Sequence, residues 1–147
     1  MTESRKILHL PDLRLSCTAV RIPVFVAHSE AVHVETRSPI GPDRARELFA
    51  AVNGVIVQDD PSTSTYPLAT SAAGSDDIFV GRIRQDPSIA GDRGLAFWVV
   101  SDNLRKGAAT NTVQIAEVLV ERGWVGSAAS RGATPYHAEG TAIGAPA

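Results

Sequence analysis

Two apolar runs joined by one short polar turn set the strongest limit on what this chain can fold into. In "DIFVGRIRQD", residues 77–86, Phe79, Gly81 and Ile83 alternate with Val80, Arg82 and Arg84, which is the period of a strand with two unlike faces. "GLAFWVVSDN", residues 94–103, is almost continuously apolar, as a strand covered on both faces is. With "PSIAGDRG" between them the two runs read as a hairpin, so an all-helical fold is excluded.

Helical signals flank this hairpin. "SPIGPDRARELFAAVNG" has Gly41 or a neighbour as cap, Pro42 in the first turn, Asp43 at the positive end and Gly54 beyond the last turn, with Ala45, Leu48, Phe49 and Val52 as its buried stripe. A helix over 42–53 follows. "NLRKGAATNTVQIAEVLVERG" predicts a second helix over 104–122, capped by Asp102 or Asn103, with Ala108, Thr112, Ile115, Ala116 and Leu119 on one side and Gly123 at the left-handed position after its end. Gly107 stands out inside it, because glycine there costs about 1 kcal/mol relative to alanine, and a close approach by another backbone or a ligand is the expectation.

The remaining segments are extended or irregular. "LRLSCTAVRIPVFV", residues 13–26, predicts two strand pieces divided near Pro23, since proline cannot donate to a ladder. "AVHVET" sets Val32 and Val34 against His33 and Glu35, a strand with one buried face, and "GVIVQDDP" is a short strand closed by Pro61. "STSTYPLATSAAGSDD" has loop composition and is long enough to be functional. Residues 125–147 are small and unpatterned, and are expected to form a disordered tail. The whole predicts an α+β domain over 1–124: a mixed, mostly antiparallel sheet with one face under the two helices and the other open to a symmetric partner.

Charge and cysteine content narrow the function classes. Fourteen basic and sixteen acidic side chains leave a net charge of −2, which gives nucleic acid or an anionic membrane no electrostatic footprint. No apolar run reaches the roughly 18–20 residues of a membrane helix, and the first ten residues lack a signal-peptide core, so a cytoplasmic protein is expected. The single cysteine, Cys17, rules out an internal disulfide, and no Cys/His spacing suggests a metal site. Partners are expected to be small molecules and protein surfaces.

Arg21 and His28 lie within "VRIPVFVAHSEAVHVE", an apolar stretch where charged or titratable groups need a reason. On residue type alone, a hydrogen-bonded structural histidine is the commoner case. Seven residues along a regular strand put the two side chains on opposite faces, so a shared pocket requires a bulge or kink between them, with Pro23 the natural place. Cys17 has no cationic neighbour in sequence to activate it, which leaves a Cys17–His28 hydrolase without support. Lys6, Arg82, Arg84, Arg105 and Lys106 could meet a phosphate, although a solvated face is the default, and no glycine-rich phosphate loop follows a strand.

The order of the motifs carries more. "ESRKIL", "PDLRLSCTAVRIPVFVAHSEAVHVE", "PIGPDRARELFAAVNGVIVQDDP", "AAGSDDIFVGRIRQDP" and "GLAFWVVSDNLRKGAATNTVQIAEVL" together resemble the C-terminal catalytic and dimerisation domain of the bacterial aspartate-semialdehyde dehydrogenases over residues 3–119. That resemblance implies a glyceraldehyde-3-phosphate-dehydrogenase C-terminal-like fold and a homodimer. It further implies the NADP-dependent interconversion of aspartyl phosphate and aspartate semialdehyde with phosphate, in lysine, threonine and methionine biosynthesis. By the same resemblance His28 is the acid/base group, Arg21 holds the substrate carboxylate, and Asn103 lies at the nicotinamide end of the cofactor. Gly107 would be small to let that cofactor or its loop approach.

Departures from the family pattern shape a second set of expectations. The family's nucleophilic cysteine, in an Asn-Cys motif, and its NADP-binding Rossmann domain do not occur in these 147 residues, and Cys17 does not replace the former. The chain is therefore expected to be a fragment or truncated product, inactive by itself because no positioned thiolate means no covalent intermediate. The alternative is a non-catalytic interaction module derived from the same family.

Overall fold

The computed structural model describes residues 2–125. A short helix α1 (Thr2–Ile7), which the sequence had not singled out, is followed by a long irregular stretch and then by β1 (His28–Glu35), α2 (Pro42–Ala50), β2 (Val55–Val57), α3 (Ala69–Ala72), β3 (Ile78–Gln85) and β4 (Gly94–Ser101). A π-helical turn (Arg105–Ala109) leads into α4 (Thr110–Glu121). The disordered tail expected over 125–147 lies, beyond Val125, outside the described residues.

The four strands form one sheet in the order β1-β4-β3-β2. β4 pairs antiparallel with both β1 and β3, while β2 runs parallel to β3, so the sheet is mixed and mostly antiparallel as the sequence implied. The hairpin of β3 and β4 is its centre. Ala45 of α2 packs on one face against Val80, Ile83 and Leu95, with Val34, Phe49, Phe97 and Val99 around them. Phe49 and Phe97 meet edge to face with ring centroids 5.1 Å apart. On the second face the segment through Pro67 and α3 seals Ala72 against the sheet, where Ala96 and Val100 are also buried.

Simple alternation fails in β3. Val80 and Ile83 enter the same core although they are three apart, because the register with β4 shifts between Gly81 and Arg84 and Arg82 adopts φ +53°. Asp59 holds this bulge: Oδ1 accepts the N–H of Arg82 at 2.6 Å, and Oδ2 accepts that of Ile83 at 3.2 Å and Nε of Arg46 at 2.8 Å. Gly81 lets β2 approach, since a Cβ there would lie 2.2 Å from the Gln58 carbonyl oxygen.

Three further expectations change. Residues 13–27 form no strand; strand propensity needs a neighbouring edge and a face to bury, and this stretch has no ladder partner among the described residues. Pro23 is instead the centre of a γ-turn closed by the Val24 N–H on the Ile22 carbonyl at 2.9 Å. α2 ends at Ala50 rather than at residue 53, and of its expected stripe Leu48 and Val52 are exposed. The predicted second helix begins as the π-helical turn, and α4 buries no residue, so the sheet is covered by α2 and not by both helices. Gly107 accordingly sits in the π turn, where an added Cβ would meet the Asp102 oxygen at 3.6 Å, ordinary contact rather than crowding.

No helix among the described residues is long and apolar enough to cross a membrane.

Candidate functional site

The end of the sheet where β1 begins and β4 finishes collects most of the residues of interest. His28 opens β1 opposite Ser101, the last residue of β4. Alternation along β1 puts His28 on the same face as Val32 and Val34, but at the strand's first position its side chain stays 64% exposed. Its Nε2 lies 3.1 Å from Oε1 of Glu30, two residues along on that face. The contact is a charge pair without hydrogen-bond geometry and assigns neither ring tautomer. Both partners are open to solvent, so the contact orients the ring weakly.

Backbone geometry just before His28 is unusual. Ala27 has φ +83°, a region that L-residues other than Asn and Asp rarely enter. Its N–H donates to Oδ1 of Asn103 at 2.9 Å, a bond between residues 76 apart in sequence. Asn103 is therefore against the residue that leads into His28. Gly107 is beside it, since a Cβ at 107 would stand 3.8 Å from Cβ of Asn103.

Asp102 fixes the backbone from which Asn103 projects. It is 3% exposed, and its carboxylate accepts the N–H groups of Gly74 at 2.8 Å, Leu104 at 2.8 Å and Arg105 at 2.9 Å. These bonds, led by Gly74, hold its carboxyl below the usual carboxylate range. Of the two caps the sequence allowed, Asp102 is the one used, and it also ties the loop before β3 to the end of β4. Asp76 adds a second tie, taking Nε and Nη2 of Arg105 at 2.9 and 2.6 Å and the hydroxyl of Thr110. That pairing keeps Asp76 ionised to lower pH and Arg105 charged to higher pH.

Arg21 is exposed in the irregular stretch, on the far side of the Pro23 turn from His28. Strand parity between the two is broken, by that turn and by Ala27. No hydrogen bond or ion pair joins Arg21 to His28 or Asn103 among the described residues. The cations weighed for phosphate divide between sites: Arg105 is committed to Asp76 and Lys106 to Gln114 at 2.5 Å, while Arg84 bonds the Arg82 carbonyl and both of those arginines line a cleft beside Tyr66, over whose ring Arg82 lies. Cys17 is free and exposed.

A cleft lies elsewhere. It measures about 410 Å³ and opens on the second sheet face, lined by Ser29, Ala31, Trp98, Tyr66, Leu68 and Ile22 among others. Two arginines, Arg82 and Arg84, reach it, and no imidazole, thiol or carboxylate is among its lining residues. Sequence reasoning had not found Ala27, Glu30, Asp76 or the inward reach of Asp102. Only Asp102 left a local trace, an acidic residue where a helix starts.

Comparison with known proteins agrees in fold and in chain segment. Residues 1–106 match the family model of the semialdehyde dehydrogenase dimerisation domain. Over 123 residues the chain is 51% identical to the aspartate-semialdehyde dehydrogenase of Aquifex aeolicus, covering 84% of this chain and 36% of that protein. The corresponding protein of Mycolicibacterium smegmatis is 55% identical over 117 residues, 80% of this chain and 32% of that one. Among solved structures, aspartate semialdehyde dehydrogenase II of Vibrio cholerae complexed with ASA superposes with a TM-score of 0.74 at 43% identity, over 81% of this chain and 34% of that one. The chain thus spans about a third of the length of the curated relatives it matches.

Proposed function

Because the chain belongs to the semialdehyde dehydrogenase dimerisation-domain family, we propose that it forms the acid/base and substrate-holding part of an aspartate-semialdehyde dehydrogenase. The reaction is the phosphate-dependent oxidation of aspartate semialdehyde to aspartyl phosphate, and its reverse. The observation that carries this reading is the bond from Ala27 to Asn103, which gathers His28, Asn103 and Gly107 at one open strand end.

In this reading His28 moves the proton. Its ring takes a proton from the thiol or the hemithioacetal oxygen and returns it in the reverse direction. Arg21, exposed in the irregular stretch, offers a planar fork to the substrate carboxylate. The thiolate must come from outside the described residues, because the one cysteine here stands exposed and unassisted. The residues fit one end of a dinucleotide. Asn103 spends Oδ1 on Ala27 and keeps its amide Nδ2 as a donor, and Gly107 leaves open surface beside it without being forced small by its own fold. NADP, when bound, would supply or accept the hydride there. Binding of its phosphates is not assigned to this chain, in line with the dispersed cations.

A homodimer and a cytoplasmic location complete the proposal. The non-catalytic module remains the second reading, favoured by the apolar surface left open by Ile22, Val24, Phe25 and Leu68. A chimera separates the two: residues 1–125 replace the matching third of the Mycolicibacterium smegmatis relative. The expected result is NADP reduction with aspartate semialdehyde and phosphate, a kcat lowered about 10²–10⁴-fold by His28→Ala, and a raised substrate KM with Arg21→Lys. A folded chimera that His28→Ala leaves at full rate would exclude the catalytic reading. If the chimera does not fold, NMR titration of the 147-residue chain with an aspartate analogue gives the same decision, through shifts at Arg21 and His28 or their absence.

A further inference from the structure

We propose that Asn103 is a positioning residue for His28, acting through the backbone of Ala27 in addition to any contact with the cofactor. The inference rests on His28 being the acid/base group. Ala27 is the last residue before the β1–β4 ladder begins, so the ladder does not determine its conformation. The stretch before it makes no strand either. Nevertheless its φ of +83° is one that alanine avoids, and such a conformation persists only where surroundings impose it. The group that imposes it is Oδ1 of Asn103, at 2.9 Å from the Ala27 nitrogen.

Asn103 can do this because the backbone around it is tied down. Before it, Ser101 is in register with His28 and with Ile78, and the Asp102 carboxylate accepts the N–H of Gly74. After it, the N–H groups of Leu104 and Arg105 donate to the same carboxylate. An anchor fixed at three points therefore grips the Val26–Ala27 peptide, one residue before His28. Letting that peptide turn would change the torsions at Ala27 and so reorient the backbone that carries the Cα–Cβ bond of His28, whose ring otherwise meets the exposed Glu30 among the described residues. Proton transfer needs the ring within hydrogen-bond reach of its partner, and a displacement of about 1 Å can cost about 10²-fold in rate.

Asparagine and aspartate share the acceptor that this role needs, whereas the amide donor that would meet a nicotinamide is lost in both Asn103→Asp and Asn103→Ala. In the chimera, Asn103→Ala should therefore lower kcat by about 10²-fold, with Asn103→Asp restoring most of it. A second readout uses the 147-residue chain alone: exchange of the Ala27 amide, followed by NMR, should quicken about tenfold or more in Asn103→Ala and stay near the parent rate in Asn103→Asp. Unchanged Ala27 exchange in a folded Asn103→Ala chain would overturn the proposal. So would equal losses of kcat in both variants, or a loss confined to the KM for NADP. A harmless His28→Ala would sink the functional reading instead, leaving the grip on Ala27 to be decided by exchange.

Discussion

Asp86 shows how much of a residue's behaviour is set by partners that sequence does not put beside it. Its carboxylate receives Nδ1 of His33 at 2.9 Å, from a residue 53 positions away, and both the N–H and the hydroxyl of Ser88, at 3.0 and 2.6 Å. The His33 bond first, and Ser88 next, lower its carboxyl from 3.8 to about 2. A depressed carboxyl stabilises the fold fully above its ordinary value and loses that contribution as pH falls through the folded one. Asp86→Asn should therefore flatten the acid limb of the urea-midpoint profile between 3.8 and about 2. At this scale the sequence is least legible. Arg21, His28 and Asn103 could be named only through the family resemblance, because residue type alone made His28 an ordinary structural histidine. Ala27 carried no signal, since alanine gives no hint of a positive φ.

Elements were more readable, wherever one period governed one stretch. The alternation of Val32 and Val34 with His33 and Glu35 marked β1, though not its start at His28, and Pro42 marked the start of α2, though not its end at Ala50. β3 defeats the same reasoning because a carboxylate from outside the strand reshapes it: Asp59 gathers the N–H groups of Arg82 and Ile83 and moves Ile83 into the core with Val80. The apolar run before His28 misled for the converse reason, its strand-forming residues having no edge to join. Gly81 is where the bulged strand meets β2 most tightly. Gly81→Ala would push a methyl to 2.2 Å from the Gln58 carbonyl oxygen and 2.5 Å from Cδ of Pro67. Destabilisation at the upper end of about 1–3 kcal/mol is expected, read as a lower urea midpoint, with β2 separating from β3. A midpoint within about 0.5 kcal/mol of the parent would show that β2 yields freely.

Across the whole molecule, stability is concentrated in the sheet and α2, and α4 is held by little. Val113, Ile115, Val118 and Val120 are between 41% and 62% exposed, and none of the twelve residues of α4 is buried. Helices of about 12–15 residues are marginal in water without packing. Amides of α4 should exchange at least about 100-fold faster than those of the β3–β4 pair in the isolated chain, and equal protection would show that another surface covers it. The apolar stripe that announced this helix could not say what it would lie against, which is why its packing on the sheet was misjudged. Sheet order has one more consequence, for the time at which the molecule is made. Among the described residues β1 pairs with β4 alone, and Ala27 waits for an asparagine 76 residues later, so the strand end cannot assemble until the ribosome has added residues 94–103. Through that interval the β1 edge has no native partner, and a nascent chain stalled before β4 would present it to chaperones or to other chains.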